Sequence, residues 1–448
     1  MHSLKKVFLA ATGAAVSLGV FFGIVSLFVF VTGKAIAGGS APAVMSASLK
    51  EAIPAISPAF PAVLPYEAED AGIVVQAPGP RLVQEEVRIP ARGGEYEVAA
   101  TILRPEGKGP FGVVVLNHGV PGSAAERMHE SAAADFNASA PVFARRGYVV
   151  VMPMRRGFGA TGGKFAEDAG PCRKPDYPHA ESQAADDVMA AYNYARTLPY
   201  VDPNRMILAG QSAGGMVSLF TAGTRAPKGL VAVLGFAAGR GGNPDLRPGV
   251  PCAVEPVAKV LDSIAAKVHV PVLLHYAQND KYFGPATSKL WYERFNAAGG
   301  QAEYVMQPAF GRDGHYLFGD LVGVRYWLPA VEKFFAEHSI PFERLDAAQP
   351  LLHAKLPYEP TDSCQSLFRA FLEAPTPRAY AVSGDGRCGF AGAMSDAPKV
   401  ALRECRRVSG QACALYAVDG EVVWKEPVAG ETQQASAPAA KTASAGSR

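Results

Sequence analysis

The chain has 448 residues, 49% of them hydrophobic and 19% charged, enough for one large domain, a smaller companion and a sizeable buried core. Its 43 basic and 41 acidic residues leave a formal net charge of +2 with no long basic run, which argues against a nucleic-acid partner.

In chain order, Lys5 and Lys6 precede an uncharged stretch from Val7 to Gly33, long enough to span a bilayer as a helix. Positive residues ahead of it predict the N-terminus inside and the body exported. Residues 1–37 are therefore read as a membrane anchor on the periplasmic side of the inner membrane. A cleaved signal peptide and a secreted body are the alternative, because Ala35-Ile36-Ala37 fits a cleavage pattern. Residues 38–80 are rich in Ala and Pro and read as a spacer.

From Arg81 the pattern changes. "RLVQEEVRIP" and "YEVAATILRP" around Gly93-Gly94 predict a hairpin. "FGVVVLNHG", "RRGYVVVMPM", "RMILAG", "LVAVLGF" and "VPVLLHY" are short continuous apolar runs, as in strands buried on both faces. Between them lie helix-length stretches: Pro141–Arg146, Glu181–Leu198, Ala213–Arg225, Val254–Ala266 and Pro285–Ala298. This alternation predicts an α/β domain over 81–342, a doubly wound, mostly parallel sheet. Residues 361–425 predict a small α+β domain. It has a helix in "PTDSCQSLFRAFLE", a strand in "RAYAVS", a second helix near Ala397–Val408 and a hairpin around Asp419-Gly420. Residues 426–448 form an Ala/Ser/Thr tail expected to be disordered.

Six cysteines in an exported chain predict disulfides. Spacing suggests Cys364 with Cys388 and Cys405 with Cys413, leaving Cys172 for Cys252; free buried thiols are the alternative. A Cys172–Cys252 bridge is expected to shape the site, since both cysteines lie in proline-rich loops expected at the carboxyl edge of the sheet.

"LAGQSAGGMVSL" places Ser212 between a buried strand and a helix, in the pattern Gly210-x-Ser-x-Gly214. A strand-to-helix turn this sharp strains the serine backbone and leaves no room for side chains at the flanking positions. The hydroxyl then stands at the sheet edge over a helix N-terminus. The Ala213 N–H is one candidate oxyanion donor, and the Val120 N–H, after "VVVLNHG", is the second. A serine nucleophile needs a histidine base and an acid, in the chain order Ser, Asp, His. Asp280 in "YAQNDKYF" and His315 in "GRDGHYLF" supply that order. Asp313 is a rival acid, set aside because it is too close in sequence to reach the far side of the imidazole. His118 is read as structuring its loop, and His275 and His269 as core histidines.

The segments "LNHGVPGS", "RRGFGATGG", "GQSAGG", "YAQNDKYF" and "GRDGHYLF", spread over about residues 95–340, resemble the α/β-hydrolase superfamily. They are similar to dienelactone hydrolases and to the catalytic domain of prolyl-oligopeptidase-like peptidases. The resemblance implies action on esters, thioesters, lactones or peptides, with Ser212, Asp280 and His315 as the triad. Dienelactone hydrolases use a cysteine nucleophile, so serine at 212 does not carry that substrate over. The 361–425 segment resembles small cysteine-containing domains of exported bacterial proteins, a likeness that names no activity.

"GFGATG" at 157–162 matches a dinucleotide fingerprint, but that motif needs a helix at once. Gly170, Pro171, Pro175 and Pro178 follow, with no helix expected before about Glu181, so the stretch reads as an active-site loop. No zinc spacing is present, and the chemistry needs neither metal nor cofactor. The sequence thus predicts an exported serine hydrolase acting on a small-molecule or peptide acyl substrate, with carboxylic ester cleavage first and peptide cleavage second. A non-catalytic protein binding cell-envelope material is the remaining alternative.

Overall fold

The structure, a computed structural model, describes residues 81–346 and 350–424. The apolar run Val7–Gly33, the spacer and the tail lie outside the described residues. Among the described ones no helix is long and apolar enough to cross a membrane.

Eight strands build the main sheet: β1 (Leu82–Ala91), β2 (Tyr96–Pro105), β3 (Phe111–Asn117), β4 (Tyr148–Pro153), β5 (Val201–Gln211), β6 (Leu230–Phe236), β7 (Val272–Ala277) and β8 (Ala302–Gln307). They lie side by side in the order β1-β2-β4-β3-β5-β6-β7-β8. The β1–β2 hairpin and the β2–β4 pairing are antiparallel, and every later pairing is parallel. Helices α1 (Ala124–Met128), α2 (Ala132–Asp135), α3 (Ala140–Ala144), α4 (Tyr177–Ala195), α5 (Ala213–Arg225), α6 (Val254–Ile264), α7 (Pro285–Ala297) and α8 (Val324–Glu337) cover both faces.

The continuous apolar runs have a direct physical cause. In β3, Val113 and Val115 face the layer of α4 to α7, while Val114 and Leu116 face α3 and α8. Alternate side chains point to opposite faces, so a strand covered on both must be apolar throughout. Two elements depart from expectation. Helix α4 opens at Tyr177, four residues before Glu181, because Pro178 occupies its first turn, where a missing N–H costs nothing. His269 is exposed in the link before β7 and is not a core residue, because Val268 takes the inward position there.

Residues 362–422 form a second sheet, four strands in the order β10-β9-β11-β12. It contains α9 (Asp362–Glu373), β9 (Arg378–Ser383), β10 (Cys388–Gly392), α10 (Ala397–Ser409), β11 (Cys413–Val418) and β12 (Glu421–Val422). Phe368 and Phe371 of α9 pack on one face with Tyr380 and Tyr416; Ala397, Ala401 and Cys405 of α10 pack on the other. Disulfides join Cys364 to Cys388 and Cys405 to Cys413, and a third joins Cys172 to Cys252. Described residues on both sides belong to one compact unit. Glu373, at the end of α9, is buried against three arginines of the larger region. Arg145 donates to its backbone carbonyl, and Arg146 and Arg344 each reach its carboxylate at 2.8 Å.

Candidate active site

Strand β5 runs into α5 with only Ser212 between them, and Ser212 pays for that turn with φ 58° and ψ −124°, backbone angles that few residues with a side chain adopt. A Cβ on Gly210 would collide with the backbone of Gly214, and one on Gly214 with the carbonyls of Asn117 and His118. Both glycines of the pattern are therefore steric requirements. Ser212 N–H donates to the Phe236 carbonyl at 2.9 Å, and its own carbonyl accepts from Gly239 N–H at 3.1 Å, which ties the turn to the end of β6.

Asp280 lies after β7 and His315 after β8, at the same edge of the sheet as Ser212. Both are buried, and His315 Nδ1 stands 3.1 and 3.2 Å from the two Asp280 oxygens. With Nδ1 committed to the acid, Nε2 is the nitrogen left to take a proton. Asp280 also accepts from the N–H groups of Tyr282 and Phe283, at 2.8 and 2.9 Å, so its loop closes around the carboxylate. Tyr282 stacks on the imidazole at 3.9 Å, and its hydroxyl meets that of Tyr316 at 2.9 Å. Asp313 does something else: it accepts from the backbone N–H of His315 and of Lys281, both at 3.0 Å. It braces the two loops and leaves the ring to Asp280.

The structure brings Asp280 and His315 into direct contact; among the described residues no hydrogen bond joins Ser212 to the ring. Gln211, which the sequence did not single out, links the two halves. It precedes the elbow serine, and its side-chain amide donates to the His315 carbonyl at 2.5 Å. Only its position beside the Gly-x-Ser-x-Gly serine could have flagged it.

Ala213 opens α5, so its N–H belongs to the first turn, which has no acceptor within the helix. Gly119 borders Ser212: a Cβ there would lie 3.4 Å from the serine Cβ and 3.8 Å from its Oγ. Val120 follows directly. His118 is fully buried, and both ring nitrogens are engaged. Nε2 accepts the Arg155 backbone N–H at 3.1 Å, so Nδ1 carries the proton and donates to the Gly119 carbonyl at 2.8 Å. Burial, then the charge of Arg155, holds its pKa well below the usual histidine range, so it stays neutral. His275 sits in the core on β7, its pKa pushed down to about 3 by burial. Its Nε2 is buried without a partner, so it is a core histidine but not a fully satisfied one.

The glycine-rich loop after β4 runs as turns from residue 155 to α4, with Gly157 N–H closing onto the Gly162 carbonyl at 2.7 Å. It lines a cleft of about 640 Å³ with Tyr96, Arg156, Lys164, Phe165 and His179. None of Ser212, Asp280 and His315 lines that cleft.

The strand order, the helices on both faces and the serine on the β5–α5 elbow coincide with a match to the family model of the prolyl oligopeptidase family over residues 134–240. The larger sheet and its helices have the α/β-hydrolase fold. The match covers well under half of the chain, from α2 through the elbow to just past the end of β6. Among solved structures the chain is similar to an acetyl xylan esterase from Paenibacillus sp. R4, at 16% identity over 59% of this chain and 85% of that one, with a TM-score of 0.41. It is similar to an esterase of Pyrococcus furiosus, at 15% identity over 57% and 90%, with a TM-score of 0.39. An acylaminoacyl peptidase of Pyrococcus horikoshii shares 16% identity over 64% of this chain and 44% of its own, with a TM-score of 0.40. No curated protein matches the chain.

Proposed function

We propose that the protein is a serine hydrolase that cleaves a carboxylic ester, or a related acyl bond, through an acyl-enzyme on Ser212. The observation that carries the reading is the buried Asp280–His315 hydrogen bond at the same sheet edge as a strained elbow serine. Ser212 Oγ attacks the acyl carbon as His315 Nε2 takes its proton. The carbonyl oxygen becomes an oxyanion facing the N–H groups of Ala213 and Val120. Collapse expels the leaving group, which receives the proton from His315. Water then repeats the sequence and releases the acid. Asp280 holds the ring in the required tautomer throughout.

Peptide cleavage is the second reading, favoured by the prolyl oligopeptidase family match over the elbow segment. Export is part of the proposal and is supported by three disulfides, with the N-terminal apolar run as the membrane attachment. A fluorophosphonate probe tests the chemistry: a single adduct on wild-type protein and none on Ser212→Ala supports it, and an unlabelled wild type contradicts it. A panel of p-nitrophenyl esters and aminoacyl anilides then separates ester from peptide cleavage.

A further inference from the structure

The peptide bond from Gly119 to Val120 is trans and planar, so its carbonyl and its N–H point in opposite directions. Whatever fixes the Gly119 carbonyl therefore aims the Val120 N–H. Two donors hold that carbonyl, His118 Nδ1 at 2.8 Å and Arg155 Nη2 at 3.2 Å. Arg155 Nη1 also takes the preceding carbonyl, of His118, at 2.8 Å.

The guanidinium is itself held. Its Nε meets Glu167 Oε1 at 2.6 Å, Glu167 Oε2 meets Arg240 at 2.5 Å, and Arg240 meets Glu181 at 2.6 Å. All four side chains are buried, and two cations balance two carboxylates, the condition under which charges persist in a core. Burial alone would raise Glu167, but Arg155 and Arg240 hold it down at about 2, so it is ionised at any working pH.

We propose that Arg155 is a positioning residue for oxyanion binding, an inference that rests on the serine-hydrolase reading. Anchored on Glu167, its planar fork turns the Gly119 carbonyl away from Ser212 and so aims the Val120 N–H at the developing oxyanion. An arginine is required because one group must serve two carbonyls and a carboxylate in a plane, which the single ammonium of lysine does not do.

The test compares wild type with Arg155→Lys, using a p-nitrophenyl ester and a trifluoromethyl ketone. With the ketone, Ser212 Oγ adds to the carbonyl carbon, its proton passes to His315, and the ketone oxygen becomes an oxyanion whose pKa is read by fluorine NMR. The expected result is a fall in kcat of about 100-fold with KM within about threefold, as for loss of an oxyanion donor. The hemiketal pKa should rise by about two units, the equivalent of that factor. A clamp that only supported stability would leave the hemiketal pKa unchanged well below the melting temperature, and that result would overturn the proposal. So would a change in KM alone. If Arg155→Lys does not fold, Glu167→Gln, which frees the fork, is read in the same way, with a fall of about tenfold expected. Wild type that forms neither hemiketal nor fluorophosphonate adduct would defeat the underlying reading; competent wild type with an unchanged variant defeats only the role of Arg155.

Discussion

At the scale of single residues, the two aspartates around His315 make opposite predictions. Asp280 contacts the imidazole, whereas Asp313 contacts backbone N–H groups through one oxygen. Asp280→Asn puts an amide where a carboxylate must accept the ring N–H and stabilise the imidazolium, so kcat should fall on the order of 10⁴-fold. Asp313→Asn keeps an oxygen that accepts the same two N–H groups, so kcat should stay within about tenfold of wild type, the change of a bracing contact rather than of a reacting one. Steady-state hydrolysis of one p-nitrophenyl ester decides it, and equal losses in both variants would contradict the assignment. The strained turn at Ser212 and the contact between Asp280 and His315 were legible because each residue sits in a short local pattern at a strand end. Arg155, Glu167, Glu181 and Arg240 were not. Their contacts span up to 73 positions between loops and the first turns of α4, and a charged residue reads as solvent-facing until the fold buries it.

At the scale of elements, two staples join the loop after β4 to the loop after β6. One is the Cys172–Cys252 disulfide and the other is the buried Glu167–Arg240 pair. The second loop also packs on the acid segment, where Gly249 N–H donates to the Lys281 carbonyl at 2.6 Å and Gly284 N–H to the Gly249 carbonyl at 2.8 Å. Losing the disulfide frees a chain segment of 80 residues, worth about 4 kcal/mol in the chain-entropy account. Cys172→Ser/Cys252→Ser should therefore lower the melting temperature. It should also lower turnover at temperatures where near-ultraviolet dichroism is still native, because the wall beside Asp280 loosens first. Unchanged turnover in the folded variant would show that Glu167–Arg240 alone suffices. The buried parallel strands were readable from their unbroken apolar runs. Strand β8 was not, because it is half-buried and carries Glu303 and Gln307 among its apolar residues. Helices α1 and α2 escaped because they are single turns, defined by the capping serines Ser123 and Ser131 more than by any periodicity.

At the scale of the whole molecule, Glu373 fastens the small sheet to the larger domain. Burial would raise its pKa, but Arg146 and Arg344 hold it at about 2 against the usual 4.5. The folded value is the lower one, so the stabilisation is complete above about 4.5 and is lost as the pH falls toward 2, an effect on the order of 3 kcal/mol. Glu373→Gln leaves buried arginine charge unpaired and should cost about 3–5 kcal/mol near neutrality. The gap in melting temperature between the two proteins should narrow as the pH drops through that window, and a gap independent of pH would contradict the ion cluster. We propose that the elbow, the acid–histidine pair and the clamped loop form one acyl-transfer site. Acid-quenching turnover of a p-nitrophenyl ester and mapping the trapped adduct by peptide mass spectrometry tests it most directly. An acyl group should accumulate on Ser212 in wild type and be absent from Ser212→Ala, whose turnover should drop by several orders of magnitude. Turnover with no adduct on Ser212, or a Ser212→Ala variant that keeps most of its activity, would contradict it.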